Sequence, residues 1–205
     1  KTELFNANER EGIISFGVGF GRKISIGINI KVLFASIYDD YKGNGLSSDF
    51  GLHYKLNRNL LFGFMIKNIN AKYTWQFLLG EDNKSYYEEL PLIYSLGLAS
   101  YVSKEVSIFF QEDIITLPGD DVNYRVRFGA EFKLYNKIKL RIGAKQSTYA
   151  LPKYMNVNQI KFKPSVGFGS PFKIWKKKYI NLDYALDLGH INEGFSHLFS
   201  TSFKF

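Results

Sequence analysis

Residues 122–145 read VNYRVRFGAEFKLYNKIKLRIGAK, and the side chains alternate between apolar and polar along most of this stretch. Val126, Phe128 and Phe132 share one face of the first segment, whereas its other face carries mostly charged side chains. A repeat of two residues is typical of a β-strand and not of a helix. The tripeptide at 135–137 separates two such segments, so we predict an antiparallel hairpin.

The same repeat recurs along the chain. It is found at 24–34, 49–56, 60–67, 92–99, 160–169, 179–188 and 195–205. We count about eleven strands, many of them near the ~9–11 residues that a tilted membrane-spanning strand needs. No stretch has a convincing helical repeat.

The charged side chains on the polar faces distinguish a membrane barrel from a soluble one. They are Arg125, Arg127, Glu131, Lys139, Arg141, Asp183 and Asp187. A water-filled or plugged interior tolerates such groups and a dry core does not, so we expect them to line a lumen. Tyrosine and tryptophan near the segment ends, such as Tyr73 and Trp75, fit an aromatic girdle. A β-sandwich capped by aromatics is the alternative.

We therefore predict an all-β fold, an antiparallel up-and-down transmembrane β-barrel of about 10–14 strands, with residues 1–205 as one domain. Its place is the bacterial outer membrane. Short predicted turns alternate with longer polar connections, as in outer-membrane barrels. The longer connections are 39–47, 79–89, 117–121 and 148–158.

The chain ends in FSHLFSTSFKF, an alternating aromatic strand. Phe199, Phe203 and Phe205 fall on one face and are expected to contact lipid. Because a closed barrel has no free edge, we predict that this last strand pairs with the first. A terminal phenylalanine on such a strand also resembles the signal that the barrel-assembly machinery recognises.

Composition argues against several other classes of function. The chain has no cysteine, which excludes disulfides and thiolate metal sites, and its net charge is +8. No hydrolase, metalloprotease or phosphate-loop motif occurs, and His53 lies about 13 Å along its strand from Asp49. We therefore predict no enzyme activity, no cofactor and no nucleic-acid partner. The basic stretch 173–179 is interpreted as a rim that contacts lipid phosphates.

One stretch, GNGLSSDFGLHYKLNRNLLFGFMIKNINAKYTW at 43–75, resembles the PorV/PorQ-like branch of the FadL-type outer-membrane barrels. LPLIYSLGLASYV, LDYAL and SHLFSTSFKF resemble later family segments in the same order, so the likeness spans about 12–205. Such barrels have 14 strands and a plug segment near the amino terminus. The given sequence shows no match to that front region, so it represents either a shorter relative or a chain without the first strands.

The resemblance implies an accessory subunit of a type IX secretion complex, which contacts exported cargo or other envelope proteins through its extracellular loops. The alternatives are a FadL-like transporter of hydrophobic or small solutes and a purely structural barrel or small pore with a basic lumen. Membrane lipid is a partner in all three.

Overall fold

The computed structural model describes residues 7–37, 41–79, 82–117, 119, 122–135, 138–147, 161–175, 178–187 and 195–204. These ranges contain twelve β-strands and no helix. The described residues therefore include no helix with the length and apolar character needed to cross a membrane. The strands are β1 (Ala7–Phe20), β2 (Ile24–Ile37), β3 (Tyr41–Lys55), β4 (Leu60–Leu79), β5 (Asp82–Glu89), β6 (Leu92–Tyr101), β7 (Val106–Thr116), β8 (Val122–Leu134), β9 (Ile138–Ser147), β10 (Lys161–Trp175), β11 (Lys178–Asp187) and β12 (Ser196–Lys204).

The strands form one sheet in which neighbours in sequence are neighbours in space. The order is β1–β2–β3–β4–β6–β7–β8–β9–β10–β11–β12, and β5 pairs with β4 outside this path. This arrangement confirms the all-β antiparallel fold and a strand count within the predicted range. Within the described residues β1 pairs with β2 alone and β12 with β11 alone, so the pairing of the last strand with the first remains a prediction. That prediction rested on the cost of free edges and not on any pattern in the two strands.

Contacts divide the chain into two compact units. The first comprises 1–55, 63–96 and 113–123, and the second comprises 56–62, 97–112 and 124–205. Each unit contains complete hairpins. The first has β1–β2–β3 and β4–β5, and the second has β8 to β12.

The apolar side chains of the second unit are exposed and its charged side chains are partly buried. Phe128 is 51% exposed, Ile142 55% and Leu182 45%, whereas Arg127 and Arg141 on the opposite face are half-buried. A soluble barrel shows the reverse pattern, with its apolar residues in the interior. We call these two surfaces the apolar face and the polar face.

The first unit has the same two faces. Phe16, Ile28 and Phe50 lie side by side on its apolar face, and Asn29 and Asp49 lie opposite each other on its polar face. Only five apolar residues are buried in the described part of the chain. They are Leu33, Ala35, Ala71, Tyr73 and Ile115. Without a surrounding apolar medium, this chain would leave most of its hydrophobic surface in contact with water.

The predicted hairpin at 122–145 is confirmed. β8 and β9 pair antiparallel with Leu134 opposite Ile138 and Phe128 opposite Ala144. Tyr135 begins the turn with a φ of 50°. Matched apolar faces specify this register, because a shift by one residue would reverse every side chain.

Two predicted loops are strands. β3 begins at Tyr41, inside the predicted loop 39–47, and β5 occupies most of the predicted loop 79–89. Both segments are polar or glycine-rich on both faces, so they have no apolar alternation to detect. The predicted loop 148–158 lies outside the described residues, as do residues 118, 120 and 121 of the loop 117–121.

Candidate functional site

A buried ionic cluster lies on the polar face of the first unit. Lys31 Nζ is 2.8 Å from Asp49 Oδ1 and 3.5 Å from Glu11 Oε1, and it donates a hydrogen bond of 2.9 Å to Asn68 Oδ1. Asp49 Oδ2 accepts a hydrogen bond from Asn29 Nδ2 at 3.1 Å. The side chains of Lys31 and Asp49 are only 9% and 6% exposed. A charge pair this far from solvent depends on the completeness of its hydrogen bonds.

The cluster also holds a bend in β4. Asn68 and Asn70 have φ values of 62° and 53°, which few residues other than glycine and asparagine tolerate within a strand. The backbone N–H of Asn68 donates to Asp49 Oδ1 at 3.0 Å, and its side-chain amide donates to the carbonyl of Pro91 at 3.0 Å. Just beyond this bend, from Lys72 onward, β4 pairs with β5.

An apolar patch lies on the same polar face next to the cluster. Leu33, Ala35 and Tyr73 are buried together, and Trp75 and Leu90 pack against them. The Tyr73 and Trp75 rings are 5.6 Å apart between centroids, and Trp75 Nε1 donates to Glu88 Oε2 at 2.6 Å. Tyr73 was predicted to belong to an aromatic girdle, and its burial in this patch shows that the prediction was wrong. Tyr73 is buried because the bend directs the end of β4 over β2.

Glycines in β3 let β4 approach this closely. A Cβ atom at Gly43 would lie 3.0 Å from the Trp75 indole, and one at Gly45 would overlap the carbonyl oxygen of Lys72. The patch therefore depends on the sequence KGNG at the start of β3. Together the patch and the cluster place apolar side chains beside a buried Lys31–Asp49 pair that is neutral.

Four of the predicted lumen-lining residues form ion pairs on the polar face of the second unit. Arg141 Nε is 2.9 Å from Glu131 Oε2, and its NH1 is 2.6 Å from Asp183 Oδ1. Asp187 Oδ2 is 2.6 Å from Nζ of Lys145, a residue that was not among the predicted lumen-lining residues. Arg125 and Arg127 lie on the same face of β8, and Lys139 lies opposite Lys133. That this face lines a lumen remains a prediction.

Glycines of β10 let the Arg141 side chain reach over a whole strand. Arg141 belongs to β9 and Asp183 to β11, and Gly167 and Gly169 of β10 lie between them. A Cβ atom at Gly169 would overlap Asp183 Oδ1, and one at Gly167 would lie 3.5 Å from Arg141 Cβ. The glycines thus leave room for a bridge that joins two strands not paired with each other.

We expect a double-mutant cycle between Arg141→Met and Asp183→Asn to give a coupling energy of about 1 kcal/mol, because the Arg141 side chain is 37% exposed and partly screened. In a Gly169→Ala background the coupling should fall below about 0.3 kcal/mol. Urea unfolding in detergent micelles measures the coupling energy in both backgrounds. Gly129→Ala is the matched control, since a Cβ there would be 3.6 Å from the nearest backbone oxygen. Undiminished coupling in the Gly169→Ala background would show that the glycine is not needed for the bridge.

Two phenylalanines of the predicted carboxyl-terminal assembly signal, Phe199 and Phe203, are described by the structure, and both are exposed. Phe199 is 80% exposed and Phe203 60%, opposite Tyr184 and Ile180 of β11. Phe205 lies outside the described residues. Their recognition by the barrel-assembly machinery remains a prediction.

The described residues contain no group of histidine, aspartate and glutamate side chains arranged to hold a metal ion. Tyr184 Oη lies 2.9 Å from His197 Nδ1, on the exposed face of β11 and β12. Neither group has an acidic third partner among the described contacts. This pair therefore resembles no catalytic arrangement that we recognise.

Sequence reasoning assigned Lys31 and Asp49 to polar faces but did not single them out, and it missed the patch. The available signal for the cluster was a pair of opposite charges on the polar faces of adjacent strands. The signal for the bend was the tripeptide Asn68–Ile69–Asn70, because asparagine tolerates a left-handed backbone. No sequence pattern pointed to contact between Leu33 and Tyr73.

No family model matches this chain, and no curated protein matches it. Solved structures do match. The Pseudomonas putida toluene transporter TodX aligns with a TM-score of 0.58 at 15% identity, over 95% of this chain and 68% of TodX. A Pseudomonas aeruginosa FadL homologue gives a TM-score of 0.67 at 10% identity, over 97% of this chain and 66% of the homologue. The Ralstonia pickettii toluene transporter TbuX gives a TM-score of 0.55 at 10% identity, over 95% of this chain and 67% of TbuX.

At these identities the likeness establishes the fold and nothing finer. The chain has the fold of FadL-type outer-membrane barrels and spans about two thirds of the length of these three structures. The FadL-type resemblance is therefore confirmed at the level of fold. The narrower PorV/PorQ-like assignment gains no support from these structures, and it remains a prediction.

Proposed function

We propose that this chain forms the wall of a bacterial outer-membrane protein that passes small hydrophobic molecules across that membrane. The observation that carries the proposal is the apolar patch of Leu33, Tyr73 and Trp75 on a face that is otherwise polar. The solved structures with this fold include two toluene transporters. An apolar surface on the polar face gives an apolar solute a place to bind once it has left water.

The charges beside the patch are compatible with this role. The buried Lys31–Asp49 pair is neutral, and the one net negative charge of the cluster lies on Glu11, whose side chain is 42% exposed. A general pore for polar solutes would more commonly present rings of unmatched charge. This difference favours the hydrophobic solute over the structural barrel or small pore.

The test is uptake of labelled toluene and of a labelled long-chain fatty acid into vesicles that contain the purified protein. We expect both to enter faster than they enter protein-free vesicles, and a labelled sugar not to do so. Uptake no faster than in protein-free vesicles would refute the proposal. Cell fractionation independently tests the outer-membrane location.

Leu33→Ser should reduce uptake of the hydrophobic probe about tenfold or more, because the buried leucine supports Tyr73 and Trp75 and its loss would disrupt the patch. Leu46→Ser is the matched control, since Leu46 lies on the adjacent strand and 65% exposed on the apolar face. It should leave uptake within about twofold of wild type. Equal loss in both variants would mean that the patch does not carry the solute.

The secretion-subunit role is the second reading that the sequence suggested. It predicts that other envelope proteins co-purify with the intact barrel. Co-purification without uptake of either hydrophobic probe would favour that role over transport.

A further inference from the structure

The apolar face of β1, β2 and β3 ends abruptly in a polar border. Five aligned rows of side chains run from Phe20–Ile24–Tyr54 to Gly12–Val32–Leu46, and nearly all are apolar. The next row contains Arg10, Phe34 and Asn44, and the row beyond it contains Asn8, Ser36 and Lys42. The change from apolar to cationic therefore takes place within about 7 Å along the strands.

This border contains a cavity of about 610 Å³. Phe34 and Ala35 provide its apolar surface, Arg10, Lys42, Asn8, Ser36 and Asn44 provide polar atoms, and Glu11 and Gly12 complete its lining. Arg10 and Lys42 are two strand spacings and one row apart, about 12 Å between their backbones, and both side chains are long enough to converge on one group between them.

The two cations have no acidic partner among the residues that the structure describes. Glu11, the neighbour of Arg10 in sequence, points to the polar face, where it pairs with Lys31. The cavity thus combines two positive charges with amide and hydroxyl donors. A guanidinium, an ammonium and neutral donors around one space are the groups that bind phosphate.

We propose that this cavity binds the phosphate of a phosphorylated glycolipid in the outer leaflet, with the acyl chains lying along the apolar rows below it. The inference rests on the proposed membrane location but not on transport. The apolar rows from Gly12 to Phe20 span nine residues of β1, within the ~9–11 that a tilted strand needs to cross the hydrocarbon core. The cavity therefore lies at the depth where lipid phosphates are found.

Chain direction indicates which leaflet is contacted. The cavity lies at the strand ends joined by connection 38–40, and the long segment between β4 and β6, which forms β5, lies at that same end of the first unit. Long connections of outer-membrane barrels are extracellular. The leaflet on that side of the outer membrane consists largely of phosphorylated glycolipid.

Native mass spectrometry of the detergent-purified protein, titrated with diphosphoryl lipid A, tests the proposal. Arg10→Gln/Lys42→Gln should weaken binding at least about tenfold. Arg22→Gln/Lys23→Gln is the matched control, because it removes the same two charges from exposed positions at the other end of the same hairpin. It should bind within about twofold of wild type, and the altered electrophoretic mobility of heated protein should show that both variants fold.

The probes distinguish the possible sources of phosphate. Fully dephosphorylated lipid A should bind the wild type at least about tenfold more weakly than the diphosphoryl form, and phosphatidylglycerol should also bind more weakly. Equal binding of the dephosphorylated lipid, or undiminished binding by the Arg10/Lys42 double variant, would overturn the proposal. Equal binding of phosphatidylglycerol, or full competition by millimolar inorganic phosphate, would overturn the assignment to the glycolipid.

The vesicle uptake assay separates this inference from the proposed function. The Arg10/Lys42 double variant should take up toluene at the wild-type rate. Wild-type protein that binds lipid A but admits no hydrophobic probe would refute transport and leave the lipid site standing.

Discussion

Asp49→Asn is expected to lower the free energy of unfolding by about 3–5 kcal/mol, because it leaves the Lys31 ammonium buried without its main counter-charge. The Lys31 side chain is 9% exposed, and its remaining acidic neighbour, Glu11, is 3.5 Å away. The Asp49 carboxylate also accepts a hydrogen bond from the backbone N–H of Asn68. The substitution therefore weakens the bend in β4 as well as the charge pair. Urea unfolding in detergent micelles, followed by tryptophan fluorescence, measures the change.

The chain offers a matched control for burial. Lys72 and Glu89 form an ion pair of 2.7 Å, but their side chains are 54% and 58% exposed. Glu89→Gln should therefore change stability by no more than about 0.5 kcal/mol. In the Lys31→Met/Asp49→Leu variant both charges are removed, and it should recover much of the loss. A single Asp49→Asn variant within about 1 kcal/mol of wild type would show that solvent reaches the cluster.

Gly45→Ala is expected to cost about 3 kcal/mol, which is large for the addition of one methyl group. The new Cβ would overlap the carbonyl oxygen of Lys72, a backbone atom that cannot rotate away. Relief requires β4 to move back from β3, and that movement would separate Trp75 and Tyr73 from Leu33. We therefore expect Gly45→Ala to reduce hydrophobic uptake together with stability.

Gly51→Ala is the control for this substitution. Gly51 lies on the same strand and the same face as Gly45, six residues further on, and a Cβ there would be 4.0 Å from the nearest atom, the carbonyl oxygen of Gly27. Alanine at this position should be neutral or stabilising within about 0.5 kcal/mol, because it restricts the unfolded chain. Equal losses for Gly45→Ala and Gly51→Ala would indicate a general intolerance of side chains on this face, and not a close approach of β4.

Much of the fold could be predicted because each strand carries its own apolar face. Phe128, Ile142 and Leu182 are exposed as expected, and the hairpin at 122–145 has the expected turn. The predictions failed where a segment has no apolar face. β5, with the sequence DNKSYYEE, pairs with β4 through its backbone and is polar on both sides.

The candidate site was predictable only in part. Arg141, Glu131 and Asp183 were assigned to one polar face, and they do form ion pairs there. Their partners could not be assigned, because Arg141 reaches across a strand that separates it from Asp183. Arg141 can reach Asp183 only because Gly169 of the intervening strand has no side chain. The contact therefore depends on how β9, β10 and β11 are aligned, which no single strand reveals.

The amino-acid sequence by itself determined the strands, their two faces and the placement of charges on the face away from the apolar surface. These properties are local, since a repeat of two residues assigns each side chain to a face without reference to other strands. Only the tertiary structure decided that Lys31 is buried with Asp49 and Asn68, and that Tyr73 and Trp75 cover Leu33. Those contacts join strands far apart in sequence, and they exist because a bend at Asn68 and the glycines of β3 let two backbones come close together.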